Sequence, residues 1–235
     1  MNFIIQMSDL NEIKYILFTK DNENNLRDTI KKLQSTCLPE IYDDIFWNKL
    51  FENAYDKTIV VFTNDDQPIG FILATEIYKS QHIVVIASFG VLEKYRCHGV
   101  GTELLQRCIT ILKNLILQDQ IESFHLHVRE SNHIAIRLYE KFGFSKGKTI
   151  YNYYDPIDNS NIRENAIYMD YSDNDIMIDR MRRFLLSSAE GHLDDMITKE
   201  DGRTITKKED IDEIIENMKQ ELLNKPDGLD ACSIQ

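Results

Sequence analysis

Ser88-Phe89-Gly90-Val91-Leu92-Glu93-Lys94-Tyr95-Arg96-Cys97-His98-Gly99-Val100-Gly101-Thr102 is where the 235-residue chain changes rhythm. Before it, His82–Val91 is an apolar run of strand length. After it, Leu104, Leu105, Cys108, Ile109, Leu112 and Ile116 recur at helical spacing. A strand, a short loop with two glycines and a long amphipathic helix therefore follow one another. The start of such a helix offers N–H groups with no internal acceptor and the positive end of its dipole, a good seat for a pyrophosphate. Glycine at two of its positions lets the backbone come close to a ligand. Taken alone, Arg96-x-x-Gly99-x-Gly101 is also compatible with an ordinary tight turn.

Working outward, a strand is expected at Ile13–Phe18 and a charged turn at Lys20–Asn25. Leu26, Ile30 and Leu33 then form a helical stripe that Pro39 stops. Asp43 or Asp44 opens a second short helix carrying Ile45, Phe46, Leu50 and Phe51. Thr58–Thr63 and Ile69–Tyr78 read as strands joined by a polar turn. Downstream, Phe124–Val128 alternates as a strand. Asn132–Phe142 reads as a helix with Ile134, Ala135, Leu138 and Tyr139 on its apolar face, ended by Gly143. Thr149–Tyr154 and Ala166–Tyr171 complete a hairpin with a long connection. Residues 1–172 thus make one mixed α/β domain of about 170 residues. Residues 173–235 make an acidic tail with two amphipathic stripes, Met177, Ile178, Met181, Phe184, Leu185 and Ile211, Ile214, Ile215, Met218, Leu222.

The net charge is −12, and seven of those charges fall between Glu190 and Gln235, where 13 acidic side chains face 6 basic ones. The remaining body lacks the clustered Lys and Arg that nucleic-acid binding needs. Its acidity suits either a cationic substrate or solubility alone. Cys37, Cys97, Cys108 and Cys232 show no metal-like spacing with His, so reduced thiols inside a cell and no metal site are expected. The first residues lack the basic start of a signal peptide, and no apolar run reaches the roughly 20 residues of a spanning helix.

The glycine loop is followed by Leu126-His127-Val128-Arg129-Glu130-Ser131-Asn132 and by Ala135-Ile136-Arg137-Leu138-Tyr139-Glu140-Lys141-Phe142-Gly143-Phe144. Together these resemble the two signatures of the GNAT acetyltransferase superfamily, R/Q-x-x-G-x-G/A and N-x-x-A-x-x-x-Y-x-x-x-G-F. The resemblance implies the GNAT acyl-CoA N-acyltransferase fold, with a mixed central sheet flanked by helices, and acetyl-CoA as acetyl donor. Leu38-Pro39-Glu40-Ile41-Tyr42, the Leu126-His127-Val128 strand and Asn152-Tyr153-Tyr154 are similar to the protein N-terminal acetyltransferases of types E and F. Type F relatives sit on organelle membranes, which implies a cytoplasmic location or the cytosolic face of such a membrane.

Carried over by motif, the resemblance gives Phe89, Gly90, Val91, Arg96, Cys97, His98, Gly99, Val100, Gly101, Thr102, Asn132 and Tyr139 to the cofactor. It gives Pro39, Tyr42, Ala87, Tyr153 and Tyr154 to a peptide substrate, often one starting with Met. His127 matches the family's catalytic base, acting through water, and Tyr139 the acid that reprotonates the leaving thiolate. His125, two residues from His127, shares its side of the strand as a secondary candidate. One departure stands out: the family's strand tyrosine, five residues before Gly90, is Val85 here. The expected function is N-terminal acetylation of proteins, with a lysine or small-amine acetyltransferase, or a non-catalytic CoA-binding module, as the rivals. Cys232-Ser233-Ile234-Gln235 fits a C-a-a-X prenylation signal at Cys232. A peripheral membrane contact, or a partner helix, is the matching expectation for the tail.

Overall fold

The computed structural model describes residues 13–78, 82–157, 161–190, 212–217 and 220. The chain divides into two compact units, residues 1–171 and 172–235. The first is a sheet of seven strands: β1 (Lys14–Leu17), β2 (Ile59–Phe62), β3 (Pro68–Tyr78), β4 (Ile83–Val91), β5 (Ser123–Arg129), β6 (Phe144–Tyr154) and β7 (Glu164–Tyr171). Their order across the sheet is β1-β2-β3-β4-β5-β7-β6. The helices of this unit are α1 (Glu23–Cys37), α2 (Asp44–Glu52), α3 (Val100–Leu117) and α4 (His133–Lys141).

Every strand pair is antiparallel except β4 with β5, which are parallel and joined through α3. That pairing runs only from Ile83↔Ser123 to Ile86↔Leu126, although β4 continues to Val91 and β5 to Arg129. The cause lies on the other edge of β4. Leu73 pairs with Ser88 but Ala74 with Ile86, so Ala87 is an extra residue, a β-bulge that bends the strand. Beyond it β4 stays with β3 and leaves β5, opening a wedge in the middle of the sheet.

The two faces of the sheet are told apart by what a side chain on each glycine would touch. A Cβ on Gly90 would lie 2.7 Å from the Cys37 Cβ of α1 and 3.1 Å from the Phe71 ring. One on Gly101 of α3 would meet Phe89 at 3.4 Å and Val91 at 3.6 Å. α1 and α2 therefore cover the Gly90 face, where Phe18, Leu26, Ile30, Leu33, Trp47, Leu50, Phe51, Phe71 and Leu73 form one cluster. α3 covers the Phe89 face with Leu104, Leu105, Cys108, Ile109, Leu112 and Ile116, all buried.

Local chemistry explains where the elements begin and end. Asp43 caps α2 by accepting the Phe46 N–H at 2.7 Å. α1 begins at Glu23, inside the stretch expected to be a turn; Asn22 accepts the Thr19 N–H at 2.9 Å and so turns the chain within five residues of β1. On α4 the expected apolar face is rotated by one position: Ile136 and Tyr139 are buried, whereas Ile134 is 77% exposed. Spacing of three separates the two buried positions, and Ile134 falls outside that arc.

In the second unit α5 (Asn174–Glu190) and a helical segment at 212–217 pack Leu185 against Ile215, flanked by Ile178, Leu186 and Ile214. The five-residue stripe expected on α5 therefore splits, because Met177, Met181 and Phe184 are exposed. Ile211, Met218, Leu222 and Cys232, with its prenylation signal, lie outside the described residues. Among the described residues no helix is long and apolar enough to cross a membrane.

Gly90 is thus held as glycine by the end of α1. Gly90→Ala is expected to cost about 2 kcal/mol and lower the melting temperature by roughly 4–8 °C in a calorimetric scan. Cys37→Ala in the same background restores little, since it removes the Sγ contact at 3.3 Å but keeps the closest one, 2.7 Å to the Cys37 Cβ.

Candidate active site

The wedge opens onto the start of α3. Gly99 takes φ +84°, and a Cβ there would find nothing within 4 Å, so the residue is glycine for its backbone angle and faces open space. No side chain caps this end of the helix. The N–H groups of Val100, Gly101 and Thr102 are those that a helix leaves without an internal acceptor. Cys97 also has positive φ, +61°, which curls the loop ahead of them. Arg96 folds back, its Nε donating to the Val91 carbonyl at 2.9 Å, and His98 Nδ1 lies 2.6 Å from the Arg96 carbonyl. A turn of exposed backbone N–H groups beside an unpaired strand edge fits the pyrophosphate and pantetheine arm of acetyl-CoA. Phe89, Gly90 and Val91 lie on that edge, and Cys97, His98, Gly99, Val100, Gly101 and Thr102 make the turn. When bound, this group supplies a thioester-activated acetyl.

The two residues expected near the thioester sit differently from each other. Tyr139 is 7% exposed on the α3 side of the sheet, its ring 6.4 Å from that of Phe89 and 5.8 Å from that of Phe144. Burial pushes its phenol above the ordinary range, so it remains an O–H donor. Asn132 uses its side-chain oxygen to cap α4, accepting the Ala135 N–H at 3.1 Å, which fixes the side chain and leaves its amide N–H groups for a ligand.

His127 occupies the opposite face. Val85 aligns with His125 across the parallel pair and with Thr75 across the antiparallel one, and the Thr75 hydroxyl donates to the Leu50 carbonyl of α2 at 2.7 Å. His125, His127 and Arg129 therefore share the face covered by α1 and α2. His127 stacks on Tyr153 with ring centroids 5.0 Å apart and 18° between planes, and Tyr168 approaches edge-on at 5.6 Å. Burial first, then His125 and Lys148, push its imidazole down to about 4, so it is neutral at working pH. Val85 is itself buried and apolar and takes no part in proton transfer.

Above His127 two segments meet. From one side comes the α1–α2 loop with Pro39, Glu40 and Tyr42; Tyr42 leans on Phe46 and Trp47 at 4.8 and 5.4 Å. From the other comes the end of β6, where Tyr153 and Tyr154 lie edge to face at 4.9 Å. Burial raises both Tyr42, to about 12, and Tyr154. Ala87, the bulge, is half-buried at the mouth of the wedge below them.

Arg129 ties these segments together, and the motifs do not single it out. Its guanidinium bonds Glu40 Oε1 at 2.8 Å and Glu164 Oε2 at 2.8 Å, reaches the Asp155 carbonyl at 3.3 Å, and lies 4.4 Å over the Tyr154 ring. Glu40 in turn is held by its carbonyl, which accepts from Gln34 Nε2 at 3.2 Å, and Gln34 accepts a short hydrogen bond from Ser88 on β4. A continuous polar path thus runs from the residue next to the bulge to both walls of the slot. The one signal in the sequence is position: Arg129 follows His127 by two residues, on the same face of β5.

Arg129→Met is expected to destabilise the protein by about 2 kcal/mol, less than a fully buried pair because Glu40 and Glu164 keep some water. Adding Glu40→Gln should cost less than the sum of the single changes in a double-mutant cycle read by denaturant unfolding. Hydrogen bonds from Ser131, and then Arg129, hold the Glu164 carboxyl below its ordinary range. Its contribution is therefore present at neutral pH and lost as pH falls through that lowered value, and the loss should be smaller in Arg129→Met.

A profile of the Acetyltransferase (GNAT) family matches residues 27–144. An N-alpha-acetyltransferase of Sulfurisphaera tokodaii is 32% identical over 139 residues, covering 54% of this chain and 79% of that protein. N-alpha-acetyltransferase 50 of Danio rerio is 29% identical over 130 residues, covering 55% and 74%. Among solved structures, Arabidopsis thaliana Naa50 in complex with the bisubstrate analogue CoA-Ac-MVNAL superposes with a TM-score of 0.55 at 27% identity, over 68% of this chain and 99% of that one. With signatures, wedge and helix start in agreement, the chain belongs to the GNAT acetyltransferase family and is an acetyl-CoA-dependent acetyltransferase.

Proposed function

We propose that the protein acetylates the α-amino group of protein N-termini, with Met-starting peptides as the preferred class. The observation that carries this reading is the slot over His127. The Pro39–Tyr42 loop and the Tyr153–Tyr154 end of β6 are tied to each other through Arg129, leaving an aromatic-walled opening suited to a chain end. The first side chain of the peptide would lie among Tyr42, Tyr153 and Tyr154, with its backbone beside Ala87. Phe89, Gly90, Val91 and the turn Arg96–Thr102 would hold acetyl-CoA, with Asn132 and Tyr139 nearest the thioester. His127 would take a proton from the ammonium through water, and Tyr139 would give one to the departing sulfur. The relatives' names and the MVNAL peptide of the Arabidopsis complex support the same substrate class. The reading puts the protein inside the cell, in the cytoplasm or on the cytosolic face of an organelle membrane. The exposed Met177, Met181 and Phe184 of α5 would provide peripheral membrane contact or bind a partner helix.

Initial rates on Met-Leu, Met-Lys and internal-lysine peptides test the substrate class. Met-starting peptides should be acetylated on the α-amine, and His127→Ala should lower kcat by about 100-fold or more. Equal or better acetylation of the internal lysine would favour a lysine acetyltransferase. Cofactor binding without turnover on any peptide would favour a CoA-binding module. Because His127 is already neutral, log kcat/KM should follow the peptide amine, falling below a pH of about 8 with no break between 5 and 7.

A further inference from the structure

We propose that His125 is the second station of a proton path leading out of the site, from His127 to His125 and past Tyr168 to Asp170 at the surface. This rests on the reading of His127 as the group that deprotonates the substrate amine. In overall balance an ammonium and a thioester become an amide, a thiol and one free proton. The C–N bond forms as the C–S bond breaks, sulfur keeps the bonding pair and takes one of the two protons lost by nitrogen, and the other must reach water. A base that keeps the proton is spent after one turnover, so each turnover needs an exit.

The geometry supplies one. The His125 and His127 rings are 5.4 Å apart and edge to face, a gap that a single water spans. His125 Nδ1 is buried and has no hydrogen-bond partner among the described residues, an arrangement that costs stability unless the nitrogen serves an exchangeable partner. The Tyr168 ring, paired across the strands with His127, lies against both imidazoles, 4.8 Å from His125 and 5.6 Å from His127, and the Tyr168 hydroxyl donates to Asp170 Oδ1 at 3.3 Å. Asp170 is the β7 residue paired with His125, and it is exposed. On this face the two imidazoles and the phenol therefore touch one another, with His125 the nearer imidazole to the phenol, and the surface carboxylate follows the phenol.

The other groups facing His125 fit this direction. From β6, Lys148 and Tyr153 lie on the His127 side, and the Lys148 charge repels a proton that lingers there. Arg129, farther along β5, is neutralised by Glu40 and Glu164 and offers no acceptor. From β4 and β3 come Val85 and Thr75, neither of which carries charge. The carboxylate that Tyr168 and His125 share on the open side is Asp170. His125 touches no reacting atom; it acts through His127.

His125→Phe and His125→Asn, assayed beside wild type and His127→Ala on a Met-Leu peptide in very dilute buffer, test the path. Both His125 variants should lose about tenfold or more in kcat with peptide KM nearly unchanged, and added imidazole should restore much of the loss. In the free protein, the His127 ring signals followed by NMR should titrate at higher pH in both variants, because the neighbouring imidazole that disfavours its charge is gone. A kcat within about twofold of wild type in dilute buffer, or a loss that imidazole does not restore and that appears in KM, would overturn the proposal. If His127→Ala itself turns over normally, the reading of His127 is what fails; a dead His127→Ala beside an unaffected His125→Phe defeats the proton path alone.

Discussion

Ala87 is one residue more than β3 has room to pair, and the rest of the site depends on how the sheet absorbs it. A strand paired on both edges must follow both neighbours. Once the bulge bends β4, it keeps its antiparallel bonds to β3 and gives up its parallel ones to β5 after Ile86. The lost ladder bonds leave backbone polar groups at Phe89–Val91 to find partners elsewhere; Arg96 takes the Val91 carbonyl, and an extended ligand arm is a natural supplier for the rest. The same bend aims the end of β4 at the turn before α3, so strand edge and helix terminus line one continuous cleft. A single inserted residue thereby turns a closed sheet into one with an open cleft.

What the bulge opens, a chain of polar contacts holds at a fixed width. Ser88, Gln34, Glu40, Arg129 and Glu164 connect β4, α1, the α1–α2 loop, β5 and β7. Gln34 and Ser88 are buried, so each needs the other: removing either leaves a polar atom without water or partner. Apolar packing alone would let the two loops slide, because burial is non-directional. Directional bonds to a planar guanidinium fix their separation and orientation instead. The aromatic walls, Tyr42 on one side and Tyr153 with Tyr154 on the other, are placed by that bracing.

The sequence makes the local parts of this plain. Gly99 ahead of a Leu-rich helix, Asn132 and Gly143 around α4, and the two-residue spacing of His125 and His127 are all short-range features, and the structure keeps them. The cofactor turn and the helix stop need only neighbours in sequence. The bracing does not: Arg129 meets Glu40 across 89 positions and Glu164 across 35, and no spacing rule reaches so far. The bulge is equally hidden, since an extra residue in β4 exists only relative to β3. Gly90 shows a motif residue with a second cause, because Cys37 of α1 and the Phe71 ring leave no room for a side chain there. The rotated face of α4 is a local miss: Ile134 and Ile136 are equally apolar, and only the packed sheet decides which is buried.

The sheet also separates the two proton-handling groups of the proposed reaction. Tyr139 lies among Phe89 and Phe144 on the α3 side; His127 lies among Tyr153, Tyr168 and His125 on the α1 side. Only the wedge connects them. Nitrogen must lose two protons to two different destinations, and an acid and a base in direct contact would exchange with each other instead. With β4 and β5 between them, the buried phenol would face the cofactor's sulfur end and the imidazole the incoming amine in the proposed reaction. Burial then sets both groups in the useful form, holding the phenol protonated and the imidazole neutral. The division of labour follows from the strand that leaves its neighbour: without the wedge the two faces would have no common point at which to meet the reacting carbon.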